Sequence, residues 1–242
     1  MSPFEAIFGI KSKQVQKNCI LLPLIPKIVL SEFKVKKILR GKLYGVANAK
    51  DFTLIHTGIG AGFVGDAVLY LKETPCRNVI LFGSCGLVKE KTGLSLGSLV
   101  SPLECYSNES FSEMLSGEKR EAKVFYPEQE LFEDFLKTNQ DAGVRGVTCS
   151  TISSLKLEEG VLGAFIAKGI EVVDMECSAF FAASDYAGLK AIALFFISDI
   201  IKERPFYLSL DPVSKLRLFS SIKRASRLLC AFIQKNPGSQ DK

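Results

Sequence analysis

Short, wholly apolar runs recur along the chain, closed by glycine, proline or acidic residues, and segments with helical spacing separate them. Residues 19–24 form the first run, which Pro26 ends; 79–82 and 191–197 are the others, and the β-rich segment 52–57 and the short segment 170–173 read as further strands. A strand buried on both faces reads as a continuous apolar run, whereas a half-exposed strand alternates. Between these runs, residues 63–72 place Val64, Ala67, Val68 and Leu71 on one helical face. Residues 28–38, 127–139, 158–168, 176–187 and 212–233 also have helical spacing, with Gly169 and Gly188 placed as stops. Residues 43–46, 98–101 and 146–151 add shorter strands, and 104–124 read as a polar surface loop. Buried strands alternating with helices predict a three-layer α/β sandwich: a central mixed, largely parallel sheet flanked by helices.

The 242 residues contain no internal repeat or low-complexity linker, so one domain spanning 1–242 is expected, with residues 1–17 and 236–242 fraying. Lys and Arg are scattered, and the net charge of +5 leaves no nucleic-acid footprint. No apolar stretch reaches the roughly 18–20 residues of a membrane span. The early apolar patch, residues 4–10, precedes its charges, the wrong order for a secretory signal, so a cytoplasmic location is expected. Seven Cys without a CxxC pair read as buried, reduced thiols. His56 is the single histidine, which argues against a histidine metal site or a Ser-His triad.

Ligands of open α/β sheets collect beyond the C-terminal ends of strands. Four such places carry chemistry. Gly58-Ile59-Gly60 begins a glycine-rich turn whose GxGxxG string, Gly60 to Gly65, would suit a dinucleotide, yet the next strand ends in Phe82-Gly83-Ser84 without the acid that reading requires. Gly83-Ser84-Cys85-Gly86, expected as a loop after the strand at 79–82, offers a hydroxyl and backbone N–H groups to an anion or a sugar. Asp174-Met175-Glu176 follows an apolar run, with Glu176 opening a helix. Ser198-Asp199 closes the run of residues 191–197, where an acid is a candidate for a raised pKa. Four strand ends can share one cleft.

With these motifs in view, the chain resembles the superfamily of purine nucleoside phosphorylases, uridine phosphorylases and methylthioadenosine/adenosylhomocysteine nucleosidases. The likeness runs through GIG (58–60), FGSCG (82–86), LGSLVSP (96–102), VVDMECSAFFAA (172–183) and FFISD (195–199), and so spans about residues 18–233. It implies a homodimer or homohexamer that needs no metal or organic cofactor and takes phosphate as co-substrate only if it is a phosphorylase. It implies that Glu176 accepts hydrogen bonds from ribose hydroxyls and Met175 packs on the sugar. Asp199 then protonates the departing base, and Ser198 fixes it. Gly58, Gly60, Gly83, Ser84 and Ile197 would line the substrate site.

The equipment for the nucleophile departs from that pattern. Where phosphorylases of the superfamily carry an Arg before the GSCG motif, this chain has Leu81. Their Gly-Asp-Pro-x-Arg stretch is matched by Leu24-Ile25-Pro26-Lys27-Ile28, leaving Lys27 beside the missing Arg. Arg40 matches an Arg that a neighbouring subunit lends, so Ser84, Arg40 and Lys27 are the anion-binding candidates. Phosphate is usually held by bidentate Arg contacts. The nucleosidase Glu after the first strand is also missing from residues 23–28. The segment 149–154 has neither the aromatic nor the acid common at the base pocket and is closer to the futalosine hydrolase version. The expectation is hydrolysis of a purine-type nucleoside, with phosphorolysis or a non-catalytic nucleoside-binding relative as alternatives.

Overall fold

In a computed structural model of the chain, residues 1–90, 93–116 and 121–236 are described. The strands are β1 (Asn18–Leu22), β2 (Leu39–Arg40), β3 (Gly45–Asn48), β4 (Thr53–His56), β5 (Asn78–Leu87), β6 (Leu99–Asn108), β7 (Val124–Phe125), β8 (Arg145–Ile152), β9 (Val172–Asp174) and β10 (Lys190–Ile200). The helices are α1 (Pro3–Phe8), α2 (Lys27–Glu32), α3 (Ala61–Leu71), α4 (Phe111–Ser116), α5 (Gln129–Thr138), α6 (Glu158–Ala167), α7 (Cys177–Ala187) and α8 (Pro212–Lys235). None of these helices is long and apolar enough to cross a membrane.

The strands form one mixed sheet. Pairing is parallel at β1·β4, β1·β5, β5·β10, β6·β8 and β8·β9, and antiparallel at β2·β3, β3·β4, β5·β9, β6·β7 and β6·β10. Because β10 pairs with both β5 and β6, the path β5-β10-β6-β8-β9 returns to β5 and closes a ring of strands. Closure removes sheet edges from this part of the molecule.

The continuous apolar runs are explained by two cores. Along β1, Cys19 and Leu21 face the cluster under α3 and α7, while Ile20 and Leu22 face the cluster under α8. Ala193, Phe195 and Ile197 of β10 join the first, and Ile192, Leu194 and Phe196 join the second. Each fully buried Leu or Phe contributes roughly 1.5–3 kcal/mol. The period of two is present, but both phases are apolar because both faces are covered.

Four expectations need correction. Residues 1–17 do not fray: Ser2 caps α1, Gly9 ends it at φ +75°, and Phe8 is fully buried, with its ring centroid 4.7 Å from that of Tyr44. Of the other terminus, Asn236 caps α8, and residues 237–242 lie outside the described residues. Residues 104–124 are not one loop, since β6 runs to Asn108 and α4 and β7 follow; 117–120 lie outside the described residues. The helix expected over 28–38 ends at Glu32, after which Lys34 takes a left-handed φ of +56° and the chain turns toward β2. Gly83-Ser84-Cys85-Gly86 is not a loop but the middle of β5, held by β10 through Phe195↔Gly83 and Phe196↔Ser84.

Candidate active site

The floor of the site is the turn between β9 and α7, and one buried carboxylate builds it. Asp174 Oδ2 accepts the N–H groups of Glu176 (2.9 Å) and Cys177 (2.6 Å), and Oδ1 accepts the Thr151 hydroxyl at 2.6 Å. These bonds satisfy donors that the start of a helix leaves open. Asp174→Ala would strand them in the core. We expect it to cost about 3–5 kcal/mol, read by urea unfolding. A loss below about 1 kcal/mol would show that the turn holds without the carboxylate.

The turn presents Glu176, which is 6% exposed. Its Oε1 accepts the Gly60 N–H at 2.6 Å. Gly60 has φ +115°, a backbone region closed to side-chain-bearing residues, and so turns β4 into α3 with its N–H aimed at the carboxyl. Burial raises the Glu176 pKa to about 7.

Asp199 owes its direction to a bulge. On the β5·β10 ladder, Ile197 faces Cys85 and Asp199 faces Gly86, so Ser198 is one extra residue. Were the strand to alternate regularly through Ser198, Asp199 would share the face of Ile197 and point into the core under α7. The extra residue turns Ser198 and Asp199 both toward the cavity, as bulges beside active sites commonly do. Ser198 donates to Asp199 Oδ1 at 2.6 Å, and burial lifts the Asp199 pKa.

Glu176 and Asp199 face one cavity of about 340 Å³, large enough for a small ligand. Met175, Gly83, Ser84 and Ser198 also line it. Gly58 and Gly60, both partly exposed, are not on the wall, though Ile59 between them is, and Ile197 points into the core. Lys27 and Arg40 are exposed and outside the wall, and Leu81 is buried in the core. Four carboxyls line the cavity, from Glu158, Asp174, Glu176 and Asp199. Among the described residues no Lys, Arg or His joins them.

Two wall features were missed from sequence. Glu158 is 5% exposed, and burial, with the Asp199 and Glu159 charges, raises its pKa to about 7. As an acid in the first turn of a helix it reads as a dipole partner. Aromatic surface comes from Phe82, Phe196 and the half-exposed Phe206, not from residues 149–154.

All seven cysteines are free thiols, six of them buried. The Sγ atoms of Cys105, Cys149 and Cys177 lie within 4.8 Å of one another, the spacing of a metal-ligand set. They sit behind the cavity wall, where Cys105 is 3.2 Å from the Thr151 hydroxyl and Cys149 donates to Asp174 at 3.6 Å.

The raised carboxyls make stability depend on pH. A free Glu titrates near 4.3 (about that value unfolded), and the folded Glu176 and Glu158 near 7. Between those values the folded chain binds more protons. Their contribution is therefore full below about pH 4.3 and lost as pH rises through about 7. The Glu158→Gln/Glu176→Gln double variant is expected to lose part of the fall in thermal midpoint between pH 5 and 8. An unchanged slope would contradict it.

A family model described as "Phosphorylase superfamily" matches residues 21–234. Among solved structures, Vibrio fischeri uridine phosphorylase superposes with a TM-score of 0.74 at 19% identity, covering 92% of this chain and 93% of that one. Campylobacter jejuni 5′-methylthioadenosine/S-adenosyl homocysteine nucleosidase gives 0.70 at 15% identity, covering 91% and 99%. Helicobacter pylori futalosine hydrolase gives 0.68 at 13%, covering 92% and 99%. At these identities the structural likeness speaks for the fold alone. A search of curated protein sequences finds no match.

Proposed function

Because the chain belongs to the phosphorylase superfamily of enzymes, we propose that it cleaves the N-glycosidic bond of a purine-type nucleoside, with water as the nucleophile. The observation that carries this reading is the convergence of Glu176 and Asp199 on one cavity lined by carboxyls. Breaking a C1′–N bond builds positive charge on the sugar and negative charge on the base. A carboxylate at Glu176 stabilises the first. A protonated Asp199, favoured by its burial, neutralises the second.

The same carboxyls favour water over phosphate. A multiply charged anion would meet the ionised Glu176 and, among the described residues, no Lys or Arg on the cavity wall to offset the repulsion. Water carries no such penalty. It attacks an oxocarbenium-like C1′ as the C1′–N bond breaks, and the proton it sheds passes to the cavity carboxylate left ionised at Asp199, which restores the acid for the next turnover. Ser84 on the wall is placed to hydrogen-bond the water.

Incubating the protein with methylthioadenosine, adenosylhomocysteine, futalosine, adenosine, inosine and uridine, with and without phosphate, tests the reading. Free base released without phosphate is the expected result. Release only with phosphate would assign the chain to phosphorolysis. Binding without release would leave it a nucleoside-binding protein.

A further inference from the structure

The proposed reaction leaves one buried carboxyl of the cavity without a task. Glu158 stands at the start of α6 and meets Asp199 over Gly86. A Cβ placed on Gly86 would lie 3.1 Å from Asp199 Oδ2 and 3.3 Å from Glu158 Oε1, so the two carboxyls close on one point. The glycine is what leaves room for them. Neither group has a cation among the described residues of the cavity wall. In such apolar surroundings the charge on one carboxyl disfavours ionisation of the other, so the pair favours keeping a proton. The raised Glu158 pKa, in which the Asp199 charge takes part, agrees with this.

We infer that Glu158 reads the leaving base, accepting a hydrogen bond from an exocyclic amino group while Asp199 delivers the pair's proton to the neighbouring ring nitrogen, so that the site takes 6-aminopurine in preference to 6-oxopurine nucleosides. This rests on the proposed function, which places the base at Asp199. The chemistry follows from the edge of the base. Adenine presents an N7 acceptor beside an N6 donor, whereas a 6-oxopurine presents two acceptors. A carboxylic acid beside a carboxylate offers a donor and an acceptor, the complement of the first pattern. Against the second, the Glu158 carboxylate would face O6 with no proton between them. Sites that bond a specific donor reject analogues lacking it by large factors, up to about 10⁴–10⁵.

The test measures dissociation constants of the free bases adenine and hypoxanthine by calorimetry at pH 7, beside kcat/KM for adenosine and inosine. The wild-type protein is expected to prefer the amino base by about 100-fold or more in both measurements. Glu158→Gln, whose amide can turn either face to the base, should cut that preference below about 10-fold. Glu158→Asp, which keeps an acceptor, should retain most of it. Equal binding of the two bases by the wild type, or full preference surviving in Glu158→Gln, overturns the inference. Base release from nucleosides in that same case would leave the proposed function standing. An adenine preference lost in Glu158→Gln, with no nucleoside cleaved, would do the reverse: it would support the base-reading role and sink the hydrolytic reading. If Glu158→Gln does not fold, the wild-type preference and Glu158→Asp decide the matter alone.

Discussion

Asp199→Asn is expected to lower kcat on a purine nucleoside by about 10²–10⁴-fold, the usual worth of a positioned general acid. The fold should survive. Asn keeps an oxygen for the Ser198 hydroxyl, 2.6 Å away in the native site, and relieves the burial of an ionisable group. The decisive signature is the pH profile. Asp199 must be protonated to donate, so native kcat/KM falls as pH rises through its raised pKa. Glu176 must be ionised to face the sugar, so activity also falls as pH drops below about 7. In Asp199→Asn the alkaline limb disappears and the acidic limb remains. Near-native turnover in a folded Asp199→Asn variant would remove the acid from the mechanism.

Glu176→Gln is the second large effect, an expected loss of about 10²–10³-fold in kcat. Gln retains an oxygen to accept the Gly60 N–H, so the turn into α3 keeps its contact. What is lost is the full negative charge opposite the developing cation. KM should change much less, because the neutral ground-state sugar hydrogen-bonds to an amide nearly as well as to a carboxylate. The opposite split, with KM raised and kcat intact, would mean that Glu176 merely holds ribose. Steady-state kinetics on one cleaved nucleoside separates the two outcomes.

The parts of this protein legible in its sequence are those that depend on local pattern. Apolar runs under two covered faces announced the strands at 19–24, 79–82 and 191–197. Acids set directly after such runs marked Glu176 and Asp199, because an apolar strand rarely ends on a carboxyl without a use for it. The illegible parts depend on distant partners. The burial of Phe8 needs Tyr44 and Tyr70, which nothing near it in sequence supplies. The GSCG segment looked like a turn because glycines usually break strands, yet the pairing of β10 along its whole length keeps β5 extended. Glu158 was silent because a first-turn acid is commonplace. Only its approach to Gly86, more than seventy residues earlier in the chain, gives it meaning. Lys27 was singled out by resemblance to an anion site, and in this chain it stands in solvent outside the cavity wall; Arg40, expected to serve a neighbouring subunit, is exposed.

The supernumerary Ser198 makes chain length a determinant of chemistry. Upstream of it, odd-numbered positions of the strand belong to the interior beneath α7; at 199 that parity is broken. Removing Ser198 would leave Asp199 directly after Ile197 and still on the cavity face opposite Gly86, whereas one further residue between Ile197 and Asp199 would swing the acid inward, though every residue type the reaction uses would still be present. Tolerance to replacement and tolerance to insertion therefore diverge at this spot, and an insertion scan would register a constraint there that a substitution scan at Ser198 would miss.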